Sequence, residues 1–296
     1  FPFLAHAQWY QLDSITDQSL NAVAFTDENT GYVAGENGTL FKTTDAGESW
    51  FQLELNTDYN ITDMCFPAVD TGYIICNKQD FNGERFKIYK TVNGGTYWTE
   101  QDSLIGSDST GFLNGIDFLD TNTGIAVGRV GTGVAGGDFW IPQILYTKNG
   151  GATWQFFNLH EYFNNYEDNI NYAYLNDVAI YDSTHAVAVG LGDAYHTFEF
   201  AEDTIIWNCL YEGESGMSNE LNVVCFADEN TVFTAGQSGR IHKIVAGNWS
   251  ERETYLIDTP YNEHFQAVIF VSETLGFIGG GDIYNTNNGG VLWERQ

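Results

Sequence analysis

Apolar and polar residues alternate over short stretches along almost the whole chain, and turns rich in Gly, Asn and Asp divide the stretches. In LNAVAFTDENTGYVAGENGTLFKTTDAGESWFQL, residues 20–53, three such runs follow one another and a fourth begins. A period of two over four to eight residues is the pattern of a half-buried β-strand, so this unit predicts four antiparallel strands. The order returns as ITDMCFPAVDTGYIIC through IYKTVNGGTYW, and again as LNGIDFLDTNTGIAVG through ILYTKNGGATW. Less regular copies run from LNDVAIYDSTHAVAVG to Trp207, from LNVVCFADENTVFTAG to Trp249, and from QAVIFVSETLGFIGGG to Trp293. No stretch of useful length has helical periodicity. The segment LHEYFNNYEDNINYAY, 159–174, is rich in Asn and predicts a structured loop.

Tryptophans close the units at positions 9, 50, 98, 154, 207, 249 and 293. Repeats of roughly 40–50 residues, each holding four strands, are the period of a β-propeller blade. The expected fold is therefore all-β, a single propeller over 9–296 built of four-stranded antiparallel blades. Six blades are expected, with seven as the alternative. Seven tryptophans against six sets of inner strands leave WYQLDSI, 9–15, as a surplus final strand. That strand is expected to complete the C-terminal blade and close the ring, which would remove exposed sheet edges.

Four units share a further motif. TTDAGESW, 43–50, is repeated loosely as KTVNGGTYW, TKNGGATW and NTNNGGVLW. Asp45 and its counterparts Asn93, Asn149 and Asn288 can accept backbone N–H groups of a turn. Gly47, Gly95, Gly151 and Gly290 tolerate positive φ, and Trp50, Trp98, Trp154 and Trp293 are suited to packing between blades. All three jobs are structural.

The pattern Ser/Thr-x-Asp-x-Gly-x-x-Trp resembles the Asp-box, or BNR repeat, of sialidases, sortilin-type receptors and two-propeller xyloglucanases. The longer unit, a FxDxxTGYxxG hairpin running into TxDGGxxW, is most similar to propellers related to the photosystem II stability and assembly factor. Such repeats also occur in exported bacterial proteins. The resemblance covers nearly the whole chain. It implies that the motif is a turn between the third and fourth strands, on the face opposite the ligand face, and it implies a binding or assembly module for another protein.

Composition narrows the partners. Forty acidic residues against eleven basic ones give a formal charge of −29, which repels phosphate backbones and anionic lipid surfaces, so nucleic acid is not an expected partner. No run of 18 apolar residues occurs, and membrane insertion is not expected. The stub FPFLAHAQ places Ala-x-Ala before Gln8, as at the end of a secretory signal peptide. Residues 1–8 are thus expected to be a signal-peptide remnant or an N-terminal tail, and the protein to be exported, periplasmic, secreted or at the cell surface. Cys65 and Cys76 flank one predicted hairpin turn and form a candidate disulfide. No cofactor is expected. Turns such as DENT (27–30 and 228–231) and YEDN (166–169) offer oxygen ligands for calcium, but no twelve-residue calcium loop is present, and no metal ligand set is assigned.

The variable insertions fall in loops predicted on the face opposite the repeated turn. They carry the candidate ligand-binding residues Phe81, Arg85, Arg129, Phe139, Trp140, Tyr162, Tyr166, Tyr195, His196, Arg240, Tyr261 and His264. Aromatic rings beside Asn and Asp suit a protein or a surface glycan. A recurrent Asn after Leu (Asn21, Asn114, Asn176, Asn222) precedes the innermost strands and is expected to cap backbone groups there. No catalytic residue is assigned. A glycoside hydrolase is the alternative to a non-catalytic protein-binding module, and a sialidase-like site would need Arg85, Arg129 and Arg240 to converge, although the Arg-Ile-Pro entry motif is missing.

Overall fold

The computed structural model describes residues 9, 11–80, 83–101, 111–131, 140–158, 174–191, 193–197, 207–212, 220–245, 252–256 and 263–296. The strands form separate four-stranded antiparallel sheets, each made of four strands consecutive in sequence. The first holds β1 Leu20–Phe25, β2 Gly31–Gly35, β3 Leu40–Thr43 and β4 Phe51–Gln52. The second holds β5 Asn60–Cys65, β6 Gly72–Asp80, β7 Gly83–Thr91 and β8 Thr99–Glu100. Next come β9 Phe112–Phe118, β10 Gly124–Gly131, β11 Trp140–Thr147 and β12 Gln155–Asn158, then β13 Leu175–Ile180, β14 Ala186–Gly190, β15 Asp193–Thr197 and β16 Trp207–Glu212. The last two sheets are β17 Leu221–Asp228, β18 Thr231–Gly236, β19 Arg240–Val245 and β20 Arg252–Leu256, and β21 Ala267–Phe270, β22 Gly276–Gly279, β23 Ile283–Thr286 and β24 Glu294–Arg295. This makes six sheets among the described residues.

First strands of consecutive sheets pack side by side, β1 on β5, β5 on β9, β9 on β13, β13 on β17 and β17 on β21, which is the arrangement of propeller blades about an axis. Three of the five junctions share one aromatic design, while Ile125 of β10 and Val187 of β14 take the stacking position in the other two. An aromatic residue of the second strand stacks on the Phe that ends the next blade's first strand: Tyr32 on Phe66 at 4.2 Å, Tyr73 on Phe118 at 3.7 Å, Phe233 on Phe270 at 4.2 Å. The repeat's tryptophan then meets that Phe edge-on, as in Trp98 with Phe66, Trp154 with Phe118 and Trp293 with Phe270. Each aromatic pair adds about 0.5–1.5 kcal/mol to what burial alone supplies.

Polar ties reinforce the stacks. The register between first and second strands slips at Asn21, Thr62, Asn176 and Asn222, and such a bulge turns the side chain out of the ladder. It then reaches the next blade: Asn21 Nδ2 donates to Ile61 O at 2.8 Å, Thr62 Oγ1 to Leu113 O at 3.0 Å, Asn114 Nδ2 to Leu175 O at 2.7 Å, Asn176 Nδ2 to Leu221 O at 2.9 Å, and Asn222 Nδ2 to Phe265 O at 2.7 Å. Opposite the slip stand Gly35, Gly128, Gly190 and Gly236. A Cβ there would lie within 2.0 Å of a backbone carbonyl oxygen of the first strand's entry, so only glycine fits.

Two expectations are corrected. The ring is not closed by the N-terminal strand: β24 supplies the fourth strand of the last sheet from the chain's own C-terminal end, and residues 11–19 form no strand. Among the described residues β21 does not pack on β1 as the other first strands pack on one another. No seventh sheet occurs among the described residues. Cys65 and Cys76 are free thiols rather than a disulfide. Cys65 lies opposite Tyr73 and Cys76 opposite Ile61, and the two pack into different apolar clusters, so the sulfurs face opposite sides of one sheet. Residues 1–8 lie outside the described residues.

Three carboxylates are enclosed at consecutive junctions. Asp63 Oδ2 accepts Ile116 N at 2.9 Å, Asp117 Oδ2 accepts Ile180 N at 2.7 Å, and Asp177 Oδ2 accepts Val224 N at 2.9 Å. Burial outweighs these bonds and pushes the Asp63 carboxyl up to about 7, Asp117 up to about 6 and Asp177 well above the ordinary range. A folded pKa raised above the unfolded 3.8 gives stability that is fully present below pH 3.8 and lost as pH rises through about 7. Surface carboxylates such as Asp45 and Asp58 are shifted the other way by hydrogen bonds and act at lower pH. Asp63→Asn and Asp117→Asn are therefore expected to flatten the decline in urea-unfolding stability between pH 4 and 7 relative to the parent chain. An unchanged pH slope would show that these groups ionise normally in the fold.

Candidate functional site

Antiparallel four-stranded blades sort their connections onto two faces. On one lie the turns between third and fourth strands. In the first, Thr43 Oγ1 donates to Asp45 Oδ1 and accepts Gly47 N, while Asp45 Oδ1 accepts Ser49 N and Trp50 Nε1 donates to Gly47 O. The bonds of Thr43 and Asp45 recur at Thr91, Asn93 and Gly95, at Thr147, Asn149 and Gly151, and at Thr286, Asn288 and Gly290, whereas the indole N–H groups of Trp98, Trp154 and Trp293 are buried with no acceptor among the described residues. Gly47, Gly95, Gly151 and Gly290 all have φ between 81° and 91°. The side-chain oxygens are consumed within the turn. Lysines of the preceding blade add to them: Lys42 Nζ donates to Gly94 O and Lys90 Nζ to Gly150 O. These polar groups are committed to structure.

The opposite face carries the first strands' entries and the loops between second and third strands. A continuous polar band crosses it over four blades. Arg129, near the end of β10, pairs through Nη2 with Glu84 Oε1 of β7 at 2.9 Å. Its guanidinium lies over the Phe112 ring at 4.9 Å and the Tyr174 ring at 5.7 Å. Tyr174 OH donates to Glu220 Oε1 at 2.8 Å, Asn176 Nδ2 donates to the same oxygen at 3.0 Å, and Gln237 Nε2 donates to Glu220 Oε2. Burial and the Glu220 carboxylate hold the Tyr174 hydroxyl well above the usual phenol range, so it stays a donor.

Acceptor capacity is left over at one end of this band. Glu84 Oε2 and Gln143 Oε1 are buried and have no hydrogen-bond donor among the described residues. Both residues border Gly111, whose N–H donates to Glu84 O and whose Cα side faces Gln143 Oε1. Buried acceptors without donors are costly, about 1–3 kcal/mol each, and are a natural place for a ligand to donate.

The predicted site residues are distributed unevenly. Arg129 belongs to the band. Arg85 lies in β7 opposite Lys78, and Arg240 begins β19 opposite Leu256, each in a strand of a different blade. Trp140 begins β11 opposite Gly131. Tyr195 and His196 are not in a rim loop: they belong to β15, paired with Ala188 and Val187, because β14 ends at Gly190 and the third strand starts almost at once. His264 is exposed just ahead of the last blade's first strand. Phe81, Phe139, Tyr162, Tyr166 and Tyr261 lie outside the described residues. Among the described residues no group of three His, Cys, Asp or Glu side chains is placed to hold a metal ion. The DENT turns use their acids on their own backbone, Asp27 Oδ1 accepting Asn29 N and Thr30 N and Asp228 Oδ1 accepting Asn230 N.

Sequence reasoning missed Glu84, Tyr174, Glu220 and Gln237. Tyr174 and Glu220 each directly precede a Leu-Asn pair that opens a first strand, a position held by Ser19, Phe112 and, before Phe265-Gln266, His264 in other units. Variation at that one register position is the signal that marks the band.

No protein-family model matches the chain, and no curated protein matches it. Solved structures do. YCF48 bound to a D1 peptide is similar over 100% of this chain and 86% of that one, with a TM-score of 0.70 and 18% identity. YCF48 from Cyanidioschyzon merolae is similar over 98% of this chain and 88% of that one, with a TM-score of 0.71 and 18% identity. The WD40 repeats of RRP9 follow at 0.63 and 10% identity over 95% of this chain and 80% of that one. The chain thus has a β-propeller fold like that of YCF48.

Glu220 is the shared acceptor of three donors in the band. Glu220→Ala is expected to lower stability by about 1–3 kcal/mol, read as a fall in thermal midpoint, and Glu220→Gln to recover part of the loss by keeping one acceptor. Equal midpoints for all three proteins would show that the band is not held together through this carboxylate.

Proposed function

We propose that the protein is a binding module, without chemistry of its own, that holds a segment of a partner protein across the polar band. The observation that carries this reading is the pair of unused buried acceptors, Glu84 Oε2 and Gln143 Oε1, beside a band that ends in Tyr174 and Glu220. A peptide offers what such a surface lacks: backbone N–H groups, and Lys or Arg side chains that pair with carboxylates. The net charge of −29 favours approach of a cationic segment and speeds its association at low salt. The similar fold of YCF48, whose solved complex contains a D1 peptide, supports a peptide as the class of ligand. A scaffold or assembly role follows if the partner is held for joining to something else.

Fluorescence anisotropy with labelled peptides of matched length, one set cationic, one neutral and one acidic, tests the proposal. Cationic peptides are expected to bind best, with affinity falling as salt rises. Glu84→Gln and Tyr174→Ala are expected to weaken binding about tenfold while circular dichroism remains that of the parent. Binding that ignores peptide charge and both substitutions would sink this reading, and retention on a glycan affinity gel in its place would favour a carbohydrate partner.

A further inference from the structure

The repeats of this chain serve as one another's controls, and one pair of turns on the repeated-turn face departs from the rest. The turn between β5 and β6 and the turn between β7 and β8 lie side by side, tied by Gly94 N, which donates to Asp70 O at 2.9 Å. Val69, Val92 and Tyr97 on these two turns are 56%, 67% and 68% exposed. At the position of Val69 the other blades have Glu28, Thr121, Ser183, Glu229 and Glu273. At those of Val92 and Tyr97 the other complete motifs have Thr44 and Ser49, Lys148 and Thr153, and Asn287 and Leu292. Among the four complete motifs the second blade alone is apolar at all three positions, so this patch does not follow from the scaffold.

The same blade has also given up a stabilising device. In the counterparts of its first turn, Asp27 Oδ1 accepts Asn29 N and Thr30 N, Asp120 Oδ1 accepts Asn122 N and Thr123 N, and Asp182 Oδ1 accepts Thr184 N and His185 N. The second blade has Ala68 in that place, and backbone bonds between Ala68 and Thr71, at 3.1 and 3.5 Å, close the turn. Losing a side-chain acceptor while exposing three apolar side chains lowers stability and solubility together. Such a loss is the mark of a surface shaped for contact rather than for folding.

Charge selects the occupant. The turns of this blade and its two neighbours carry the exposed carboxylates Asp27, Glu28, Asp70 and Asp120. Of the lysines on this side, Lys42 and Lys90 are engaged with Gly94 O and Gly150 O. A second copy or an anionic lipid surface would bring further negative charge against this rim, and the chain already carries −29. We propose that Val69, Val92 and Tyr97 form a second contact surface, which receives a segment of a partner protein whose apolar side chains are bordered by Lys or Arg. The surface lies on the face opposite the polar band and does not depend on it, so one propeller can hold two partners at once.

A random-sequence peptide library panned on the parent chain tests this, with counter-selection on a variant carrying Val69→Glu, Val92→Thr and Tyr97→Ser, the residues of the first blade. Enriched peptides are expected to join apolar residues to Lys or Arg, and to bind the variant at least about tenfold more weakly while its circular dichroism stays that of the parent. Glu84→Gln and Tyr174→Ala, which alter the band, are expected to leave this binding unchanged. Ala68→Asp alone is expected to raise the thermal midpoint and to weaken binding of the same peptides. Peptides that bind parent and variant alike, that carry acidic borders, or that are not enriched at all would overturn the proposal. So would a dimer seen by light scattering, or binding to phosphatidylserine vesicles, that the triple variant abolishes, because the patch would then belong to a second copy or to lipid.

Discussion

The structure depends on one constraint: the first strand of each blade must bury its apolar row against the sheet before it. Leu113, Ile116 and Phe118, or Leu221 and Val224, have no other place to leave water, and each side chain contributes roughly 1.5–3 kcal/mol when covered. A single blade cannot satisfy this alone, so stability accumulates junction by junction, as in other repeat architectures. The Asn ties and the Tyr or Phe stacks fix the distance and angle at which one blade meets the next. The same requirement explains why the first blade, with nothing before it among the described residues, leaves Leu20, Val23 and Phe25 exposed.

Asp63, Asp117 and Asp177 are the polar counterpart of that row. Each reaches across a junction to a backbone N–H of the next blade's first strand, which is the edge strand of its sheet. Each carboxylate also accepts the next residue's N–H on its other oxygen, so it takes two backbone donors where an amide, with one acceptor oxygen, would take one. Enclosing it makes the junctions sensitive to proton concentration, since two groups titrate near 6 and 7 rather than near 3.8.

Strand direction divides the labour between faces. Third strands end on the side of the repeated turn, where Thr and Asp or Asn spend their side-chain oxygens on one another and on the turn's own backbone. Every first strand begins on the other side, where the residue ahead of the Leu-Asn pair carries no such duty. Tyr174 and Glu220 can therefore differ from Ser19 and Phe112 without loosening a blade, and the band from Glu84 to Gln237 is assembled from positions that the scaffold does not need.

Local pattern determined a good deal by itself. Period-two runs between turn residues marked the strands, and the tryptophan spacing marked the units, because both express interactions within about fifty residues of chain. The turn at Thr43 to Trp50 was legible for the same reason: its bonds join residues no more than four apart. Only the tertiary structure decided the rest. Whether Cys65 could meet Cys76 rested on the pairing of β5 with β6, and the register set Cys65 opposite Tyr73, three residues from Cys76 and on the other side of the sheet. Tyr195 and His196 entered a strand because pairing with β14 outcompeted a loop of the length the sequence suggested. The polar band joins residues up to 46 positions apart, so it arises from contacts that no local alternation of apolar and polar residues encodes.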